Sequence, residues 1–237
     1  MAAVLRGQSA EMTRVREEVA SAARSEGSVL IVGETGTGKG LVARCVHDAS
    51  MGSAAPFVTV VCPAMFHERQ DFARLWAAAA GGSVLFDEIG DMPRSVQEEF
   101  LSFLRHRPPT DQNAGPRCLA TTHVDLAKRV SSGELSAELH ALLSAIRIDI
   151  PPLRARLMDL PDLTGALLDR AVARGLAPRG RPRLTPAALA VLSSLTWQGN
   201  VRELENVLEH VVVTARDERI EADTVRAAVK SDLRRFA

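Results

Sequence analysis

The chain has 237 residues with 29 basic and 29 acidic side chains, so its formal net charge is zero. Its length and its 46% of hydrophobic residues suffice for the core of one domain or of two small ones. The neutral charge gives no sign of a strongly basic nucleic-acid-binding domain, and no apolar run reaches the roughly 20 residues of a membrane span. Three widely spaced cysteines fit neither a disulfide framework nor a zinc site. Together with an N-terminus that lacks a secretory signal, these features predict a soluble cytoplasmic protein.

Short apolar runs alternate with helical patterns over the first two-thirds of the chain, which is typical of a parallel α/β sheet. The runs VLIV and VLF are continuously apolar, as expected for strands that are covered on both faces. The predicted strands are residues 28–32, 57–61, 83–86, 118–121 and 145–150, and the predicted helices are residues 10–24, 39–49, 71–80, 95–105 and 134–143.

The pattern changes at Pro151 and Pro152, which end the last strand and force an extended connection. Beyond them no strand signal recurs, and Thr185 followed by a proline is a favourable helix start. The predicted helices of this part are residues 159–174, 186–195, 201–215 and 222–233. The sequence therefore predicts an α/β domain over residues 1–150 and a smaller helical domain over residues 151–237.

A glycine-rich segment, GETGTGK, follows the first predicted strand and opens the next helix, as the G-x-x-x-x-G-K phosphate-binding motif requires. Its glycines let backbone N–H groups turn inward and form a nest for anions, and Lys39 would reach the β- and γ-phosphates. The next residue is Gly40, whereas a hydroxyl residue normally helps to hold Mg²⁺ at this position. The candidate nucleotide-binding residues here are Gly33, Glu34, Thr35, Gly36, Thr37, Gly38, Lys39, Gly40 and Leu41.

Two carboxylates, Asp87 and Glu88, directly follow the apolar run of the third predicted strand. Because the carboxyl ends of parallel strands face the ligand crevice, this pair is expected beside the phosphates. Asp87 is the candidate ligand of Mg²⁺ and a candidate catalytic residue, and Glu88 is the candidate catalytic residue that polarises the attacking water. An acidic pair at a strand end is common by itself, and its place downstream of a phosphate loop favours the functional interpretation.

Four spaced motifs resemble the central AAA+ ATPase domain of bacterial sigma-54-dependent activators. They are the phosphate loop at 33–39, FDEIGDM at 86–92, PPLRAR at 151–156 and WQGNVRELEN at 197–206. The opening segment LRGQSAEM also looks like the start of that domain, so the resemblance covers about residues 5–230.

The resemblance implies a five-stranded parallel AAA+ sheet with helices on both faces and a C-terminal helical lid, with ATP or ADP and Mg²⁺ bound between them. It also implies rings of six or seven subunits in which hydrolysis remodels the sigma-54 polymerase. Arg202 matches the lid arginine that contacts the γ-phosphate, a nucleotide-binding role in which its ion pair would report the triphosphate state. The alternative is a surface arginine paired with Glu205 or Glu209.

The sequence departs from the family in the two loops that precede and follow the acidic strand. Family members carry a GAFTGA loop that contacts sigma-54, whereas residues 62–81 are about half the expected length and contain nothing similar. Residues 66–80 instead predict an uninterrupted helix, and residues 107–116 replace a second loop that is a hairpin in the family. A sigma-54 contact is therefore not expected.

The residues that support hydrolysis also differ from the family. Ser136 and Leu142 occupy the positions of the two arginines that act on the neighbouring subunit's nucleotide, and neither Arg129 nor Arg147 fits their register. Such arginines are worth about 10³–10⁵ in rate, so hydrolysis between subunits is expected to be slow.

Two further positions agree with that expectation. Val61 replaces an asparagine that usually follows the second strand, and His123 replaces the asparagine that ends the fourth strand. The imidazole of His123 could bind a phosphate or a water, or it could serve only a structural purpose. Nucleotide binding is thus expected to be kept and turnover to be impaired.

Three functions follow from these patterns. The preferred one is an ATP-binding AAA+ module of a sigma-54-activator-like transcriptional regulator that signals without sigma-54 and hydrolyses ATP weakly or not at all. The second is an active homo-oligomeric ATPase that remodels an unknown protein partner. The third is a non-enzymatic interaction domain with a vestigial pocket. The chain leaves no room for the helix-turn-helix that usually follows, so the sequence either is a fragment of a longer regulator or does not bind DNA by itself. No membrane partner is expected.

Overall fold

A computed structural model of the protein describes residues 4–64, 71–106, 115–176, 182–215 and 217–233. The strands are β1 Val29–Val32, β2 Phe57–Val61, β3 Ser83–Asp87, β4 Arg117–Thr122, β5 Ile146–Asp149, β6 Arg183–Leu184 and β7 Arg219–Ile220. The α-helices are α1 Ala10–Ala23, α2 Lys39–Met51, α3 Phe72–Ala78, α4 Arg94–His106, α5 Leu126–Ser131, α6 Ala137–Leu143, α7 Leu160–Ala173, α8 Pro186–Ser193, α9 Asn200–Thr214 and α10 Ala222–Leu233. None of the described helices is long and apolar enough to cross a membrane.

The chain forms two compact units, which we call the α/β unit and the helical unit. The α/β unit comprises residues 1–5, 14–34 and 39–150, and the helical unit comprises residues 6–13, 35–38 and 151–237. Pro151 therefore begins the main body of the helical unit, where the sequence predicts a boundary. The sequence did not predict that two short segments from the first part of the chain would belong to the helical unit.

The α/β unit contains the predicted five-stranded parallel sheet, in the order β2-β3-β4-β1-β5. The central strands are buried because their apolar runs contact the core on both faces. On one face Phe86 of β3 packs on Phe100 of α4, whose ring also contacts Phe72 and Trp76 of α3. Complete burial of an apolar side chain of this size contributes about 1.5–3 kcal/mol, so this cluster is a principal anchor of the sheet.

Two predictions for the α/β unit need correction, one helix was not predicted, and one predicted loop lies mostly outside the described residues. Residues 126–131 form a helix, α5, that the sequence did not predict, and α6 begins at Ala137 instead of residue 134. Asp125 caps α5 by accepting N–H groups of its first turn, and Ser136 caps α6. The prediction of an uninterrupted helix over residues 66–80 was wrong, because α3 runs only from Phe72 to Ala78 and Asp71 is its N-cap, accepting the Arg74 N–H at 2.9 Å; residues 66–70 themselves lie outside the described residues. Most of the shortened loop at 107–116 also lies outside them.

The helical unit buries a leucine- and valine-rich core around Trp197, which is 1% exposed. Thr185 caps α8 as predicted, because its hydroxyl accepts the Ala188 N–H at 3.2 Å. The expectation that no strand occurs beyond Pro152 was wrong, since β6 and β7 pair in parallel. These strands are only two residues long, which is too short to give an alternating apolar pattern.

The opening segment of the chain is fixed in the helical unit by a buried carboxylate. Asp159, which is 1% exposed, accepts the N–H groups of Gln8 and Ser9 at 2.7 and 2.8 Å and the Ser9 hydroxyl at 2.7 Å. Gly7 has φ +111°, and a Cβ atom there would lie 2.5 Å from Asp159. The glycine is therefore required for this close approach.

Candidate nucleotide site

The phosphate loop has the backbone conformation that the glycine pattern predicts. It leaves β1 at Gly33, whose N–H donates to Thr122 O at 3.1 Å, and it ends where Lys39 begins α2. Gly36 and Gly38 have φ +80° and +100°, values that side chains with a Cβ atom rarely adopt. A Cβ atom on Gly38 would meet nothing within 4 Å, so backbone conformation is the reason for a glycine there.

Lys39 is the positive charge at the base of this loop within the α/β unit. Its side chain is only 6% exposed, and its Nζ donates to Gly33 O at 3.0 Å and to Glu34 O at 3.3 Å. Nζ also lies 2.9 Å from Glu88 Oε1 in an ion pair. The sequence-predicted residues Gly33, Glu34, Lys39 and Glu88 are thus brought together at the carboxyl ends of the strands.

Asp87 ends β3 and is held by a residue that the sequence analysis missed. The register that pairs Phe86 with Ala120 places Asp87 beside Thr121, whose hydroxyl donates to Asp87 Oδ1 at 2.5 Å. The same Thr121 oxygen accepts the Glu88 N–H at 3.0 Å, and Thr121 is completely buried. Thr121 therefore fixes both members of the acidic pair, and the two consecutive threonines that end β4 were the available signal.

Glu88 has an unusual backbone conformation and a fully occupied carboxylate. Its φ of +58° is left-handed, which costs a non-glycine residue of order 1–3 kcal/mol. Glu88 Oε2 lies 2.7 Å from His123 Nδ1 and accepts the His123 N–H at 3.0 Å, while Lys39 holds Oε1. Burial by itself raises the pKa of the Glu88 carboxyl, but the hydrogen bonds from His123 and Lys39 outweigh burial and lower the pKa below its usual value. The carboxylate is therefore charged and engaged at both oxygens.

Gly40 and Leu41 are exposed in the first turn of α2, with Leu41 40% exposed. Gly40 leaves no side chain within that turn to assist a cation, as the sequence indicated. Arg202 is also exposed, in the first turn of α9 in the helical unit, where its N–H donates to Gly36 O at 3.3 Å. Its predicted alternative partners Glu205 and Glu209 instead pair with Arg170 and Arg174.

The positions that differ from the family have definite local structures. Ser136 is the N-cap of α6, and its N–H donates to Gln97 Oε1 at 2.8 Å. Leu142 on the same helix is 37% exposed, and Val61 at the end of β2 is 50% exposed. None of these three side chains carries a charge that could act on a phosphate.

Within the described residues, Glu88, Asp91 and His123 place possible metal-ligating atoms within 4.8 Å of one another. Their carboxylates are already paired with cations, since Lys39 lies on Glu88 and Arg129 Nη2 lies 3.3 Å from Asp91 Oδ1. This group is therefore an ion-pair network around Glu88, and Asp87 stays the sequence-predicted candidate for the Mg²⁺ ligand.

The residues present fit Mg²⁺-ATP. A half-buried carboxylate at a strand end supplies the oxygen ligand that Mg²⁺ prefers, and the space beside Gly38 is open for a phosphate. Lys39 places its ammonium group at the base of the loop, where Glu88 holds it and where a phosphate would compete with that carboxylate.

A phosphate loop after β1, an acidic pair after β3 and a helical unit after β5 define the AAA+ class of nucleotide-binding proteins. Residues 6–153 match the family described as the sigma-54 interaction domain, and residues 154–235 match the AAA+ ATPase lid domain. The chain belongs to the sigma-54 interaction domain family.

Named relatives agree with this assignment. The sigma54-dependent transcriptional regulator SfnR of Pseudomonas fluorescens is 36% identical over 227 aligned positions, which include 86% of this chain and 61% of SfnR. NtrX from Brucella abortus in complex with ADP superposes with a TM-score of 0.81 at 28% identity, over 95% of this chain and 56% of NtrX. Its complex with ATP gives 0.79 at 29% identity, over 98% and 60%. The chain spans less than two thirds of each of these proteins.

Proposed function

We propose that this chain is the ATP-binding module of a sigma-54-activator-like transcriptional regulator in which hydrolysis is arrested and nucleotide binding carries the signal. The observation that carries this proposal is the engagement of Glu88. Lys39 and His123 occupy both oxygens of the carboxylate that would activate water.

The two partners of Glu88 respond differently to a triphosphate. A bound triphosphate competes for Lys39, because the phosphate oxygens offer this ammonium group more negative charge than one carboxylate does. His123 gains no such competitor, and both its N–H and its ring remain directed at Glu88 Oε2. A carboxylate that keeps these two hydrogen bonds is a poor acceptor for a proton from water.

Mg²⁺-ATP supplies the phosphoryl group and a divalent charge that neutralises it when bound. On the protein side, Asp87 is the residue to hold that ion, with its orientation fixed by Thr121. Lys39 and the loop N–H groups bind the phosphates, and Arg202 is the candidate reporter of the γ-phosphate.

The lack of trans-acting arginines supports the same conclusion. Arg129 pairs with Asp91 and Glu134, and Arg147 pairs with Asp149, so both nearby arginines are neutralised within their own chain. Neither of these two arginines is then free to replace the family's arginines at the nucleotide of a neighbouring subunit. Assembly into a ring, if it occurs, would not complete a catalytic site by this route.

A role without sigma-54 is also part of the proposal. The alignment with SfnR is longer than the stretch of this chain within it, so some SfnR residues lie opposite gaps in this chain. Such gaps support the loss of segments relative to that regulator. The observed helix α3 and the short segment between β2 and β3 support a shortened loop at the position where the family contacts sigma-54.

A second function, ATP hydrolysis that a partner switches on, is favoured by the intact set of Lys39, Asp87 and Glu88. In that case a partner would displace His123 from Glu88 and supply its own arginine. The two functions share the nucleotide site and differ only in whether Glu88 is ever released.

The experiment compares wild type with His123→Asn. Asparagine is shorter than histidine, so its side chain would not reach Glu88 in the way that the imidazole ring does. ATP binding is measured by titration calorimetry with Mg²⁺, and steady-state hydrolysis is measured with Lys39→Ala as the blank. We expect wild type to bind ATP with turnover near the blank, and His123→Asn to raise kcat about tenfold with KM little changed. Fast hydrolysis by wild type, or turnover of His123→Asn that stays at the blank, would contradict the arrest.

A further inference from the structure

Three consecutive carbonyl groups of the phosphate loop are held by donors from the rest of the helical unit. The donors come from the segment after β5 and from the first turn of α9, and each carbonyl receives at least one hydrogen bond. The pairs are Thr35 O with Asn200 Nδ2 at 3.0 Å, Gly36 O with the N–H groups of Val201 and Arg202 at 3.0 and 3.3 Å, and Thr37 O with Arg156 Nη2 at 3.2 Å.

The hydrogen bonds to these carbonyl groups also fix the direction of the neighbouring N–H groups. In a planar trans peptide the C=O of one residue and the N–H of the next point in opposite directions, and no cis peptide bond occurs among the described residues. The N–H groups of Gly36, Thr37 and Gly38 therefore point away from the donors that hold the loop. These are the N–H groups that a phosphate-binding nest requires.

The loop can approach α9 this closely only because residue 36 is glycine. A Cβ atom on Gly36 would lie 2.1 Å from Gly199 O, which is far inside van der Waals contact. The first-turn N–H groups of a helix lack intrahelical partners, and here two of them are satisfied by Gly36 O. The contact thus stabilises the start of α9 and the loop at the same time.

The side chain of Asn200 joins this contact to the segment that follows β5. It is completely buried, and its φ of +57° is a left-handed conformation that asparagine tolerates better than most residues. Its Oδ1 accepts the Leu153 N–H at 2.8 Å while its Nδ2 donates to Thr35 O. Both ends of one carboxamide are therefore used, and an aspartate of the same shape would lose the donor.

Arg156 holds the third carbonyl from a buried position. Its side chain is 3% exposed, and burial lowers the pKa of its guanidinium, although Asp159 acts in the opposite direction. Its Nε is buried without a hydrogen-bond partner among the described residues, so the Nη2 bond to Thr37 O at 3.2 Å is a contact by which this buried group offsets its loss of solvation.

We propose that Asn200 and Arg156 are positioning residues for nucleotide binding, which act by fixing the carbonyl groups of the phosphate loop without contacting the nucleotide. This inference rests on the proposed nucleotide-binding function. It links phosphate affinity to the first turn of α9, and linkage is reciprocal, so bound nucleotide must stabilise that turn to the same extent.

The test uses Asn200→Gly, which accepts the left-handed backbone, removes the donor and adds no charge. Thr185→Ala is the matched control, because it removes a helix cap in the helical unit without touching the loop. ATP and ADP affinities are measured by calorimetry, thermal midpoints by circular dichroism, and amide hydrogen exchange for peptides spanning residues 33–40 and 199–206. Arg156→Met is the second variant, chosen to remove the donor to Thr37 while keeping an apolar stem of similar length.

We expect Asn200→Gly and Arg156→Met to weaken both nucleotides about tenfold and to speed exchange in the loop peptide. Thr185→Ala should lower the thermal midpoint and leave affinity unchanged. In wild type, ATP should slow exchange at the start of α9. Unchanged affinity in both positioning variants, or an equal loss of affinity in Thr185→Ala, would overturn the inference. Absence of ATP binding by wild type would instead overturn the proposed function on which it rests.

Discussion

The tip of the phosphate loop, in the helical unit, and the acidic end of β3, in the α/β unit, both hold sequence-predicted nucleotide-binding residues, and they are organised in opposite ways. At the loop tip, the carbonyl groups of Thr35, Gly36 and Thr37 accept hydrogen bonds, and the neighbouring N–H groups therefore point away from those donors. At the end of β3, the carboxylate of Glu88 is itself held by Lys39 and His123. The first arrangement prepares donors for an anion, whereas the second occupies the group that would activate water.

This difference shows that binding and hydrolysis depend on separate features of the chain. Binding needs backbone conformations that glycine permits, together with one buried lysine. Hydrolysis needs an available carboxylate and a cation from a neighbouring subunit. Changes at His123, Ser136 and Leu142 can therefore reduce the second function without altering the first.

The largest expected effect is the loss of nucleotide binding in Lys39→Ala. This lysine is the positive charge at the base of the loop, and its removal also leaves Glu88 without its cation. We expect at least a hundredfold weaker ATP affinity by calorimetry. Lys128→Ala is the control, because Lys128 is 85% exposed and pairs only at the surface with Asp125. Retained affinity in Lys39→Ala would show that the loop does not bind the phosphates.

An intermediate effect is expected for Thr121→Val, which replaces the buried hydroxyl with a methyl group of similar size. Asp87 then loses its donor and the Glu88 N–H loses its acceptor, so the affinity for Mg²⁺-ATP should fall about tenfold. A Mg²⁺ titration of ATP binding measures this loss, and Thr121→Ser should restore most of it. Equal Mg²⁺ dependence in all three proteins would show that Thr121 serves packing alone.

The smallest effect concerns the opposite end of β3, where His47 lies completely buried. Its Nδ1 lies 2.9 Å from the Ser83 hydroxyl and its Nε2 3.2 Å from Ala55 O, which satisfies a neutral ring. Burial lowers the pKa of His47 below its usual 6.5, and nearby Arg44 lowers it further, against the opposing effects of the Ala55 hydrogen bond and of Asp48.

Because the unfolded chain binds a proton at His47 more readily than the folded chain, stability is lost as pH falls below about 6.5. The slope from this residue is at most about 1.4 kcal/mol per pH unit. Urea unfolding at pH 7.0 and 5.5 measures it, and His47→Gln should reduce the slope. The same slope in the variant would assign the pH dependence to other groups.

Elements with strong local signals could be predicted from the sequence. The five strands of the sheet, the phosphate loop and the cap at Thr185 each follow from short apolar runs or from turn and cap chemistry. Helix α5 was missed because six residues are too few to show a helical period, and β6 and β7 were missed because they are only two residues long.

The decisive parts of the site depend on contacts between distant residues. Thr121 acts on Asp87 because the sheet order places β4 beside β3, and the sequence does not give that order. The hydrogen bond from Asn200 to Thr35 joins residues far apart in the chain. From the sequence, a lone asparagine after a glycine indicates only a turn or a cap. The sequence identified His123 as a substituted position, and the structure identifies its partner as Glu88.

The central claim is that this chain binds ATP and does not turn it over, whatever its concentration. The most direct measurement follows the fate of radiolabelled ATP bound to an excess of purified protein, over a hundredfold range of protein concentration. We expect bound ATP to be recovered largely intact, at a decay rate that does not change with protein concentration. Hydrolysis that accelerates as the protein concentration rises would contradict it, because that result requires catalytic residues supplied by a neighbouring subunit.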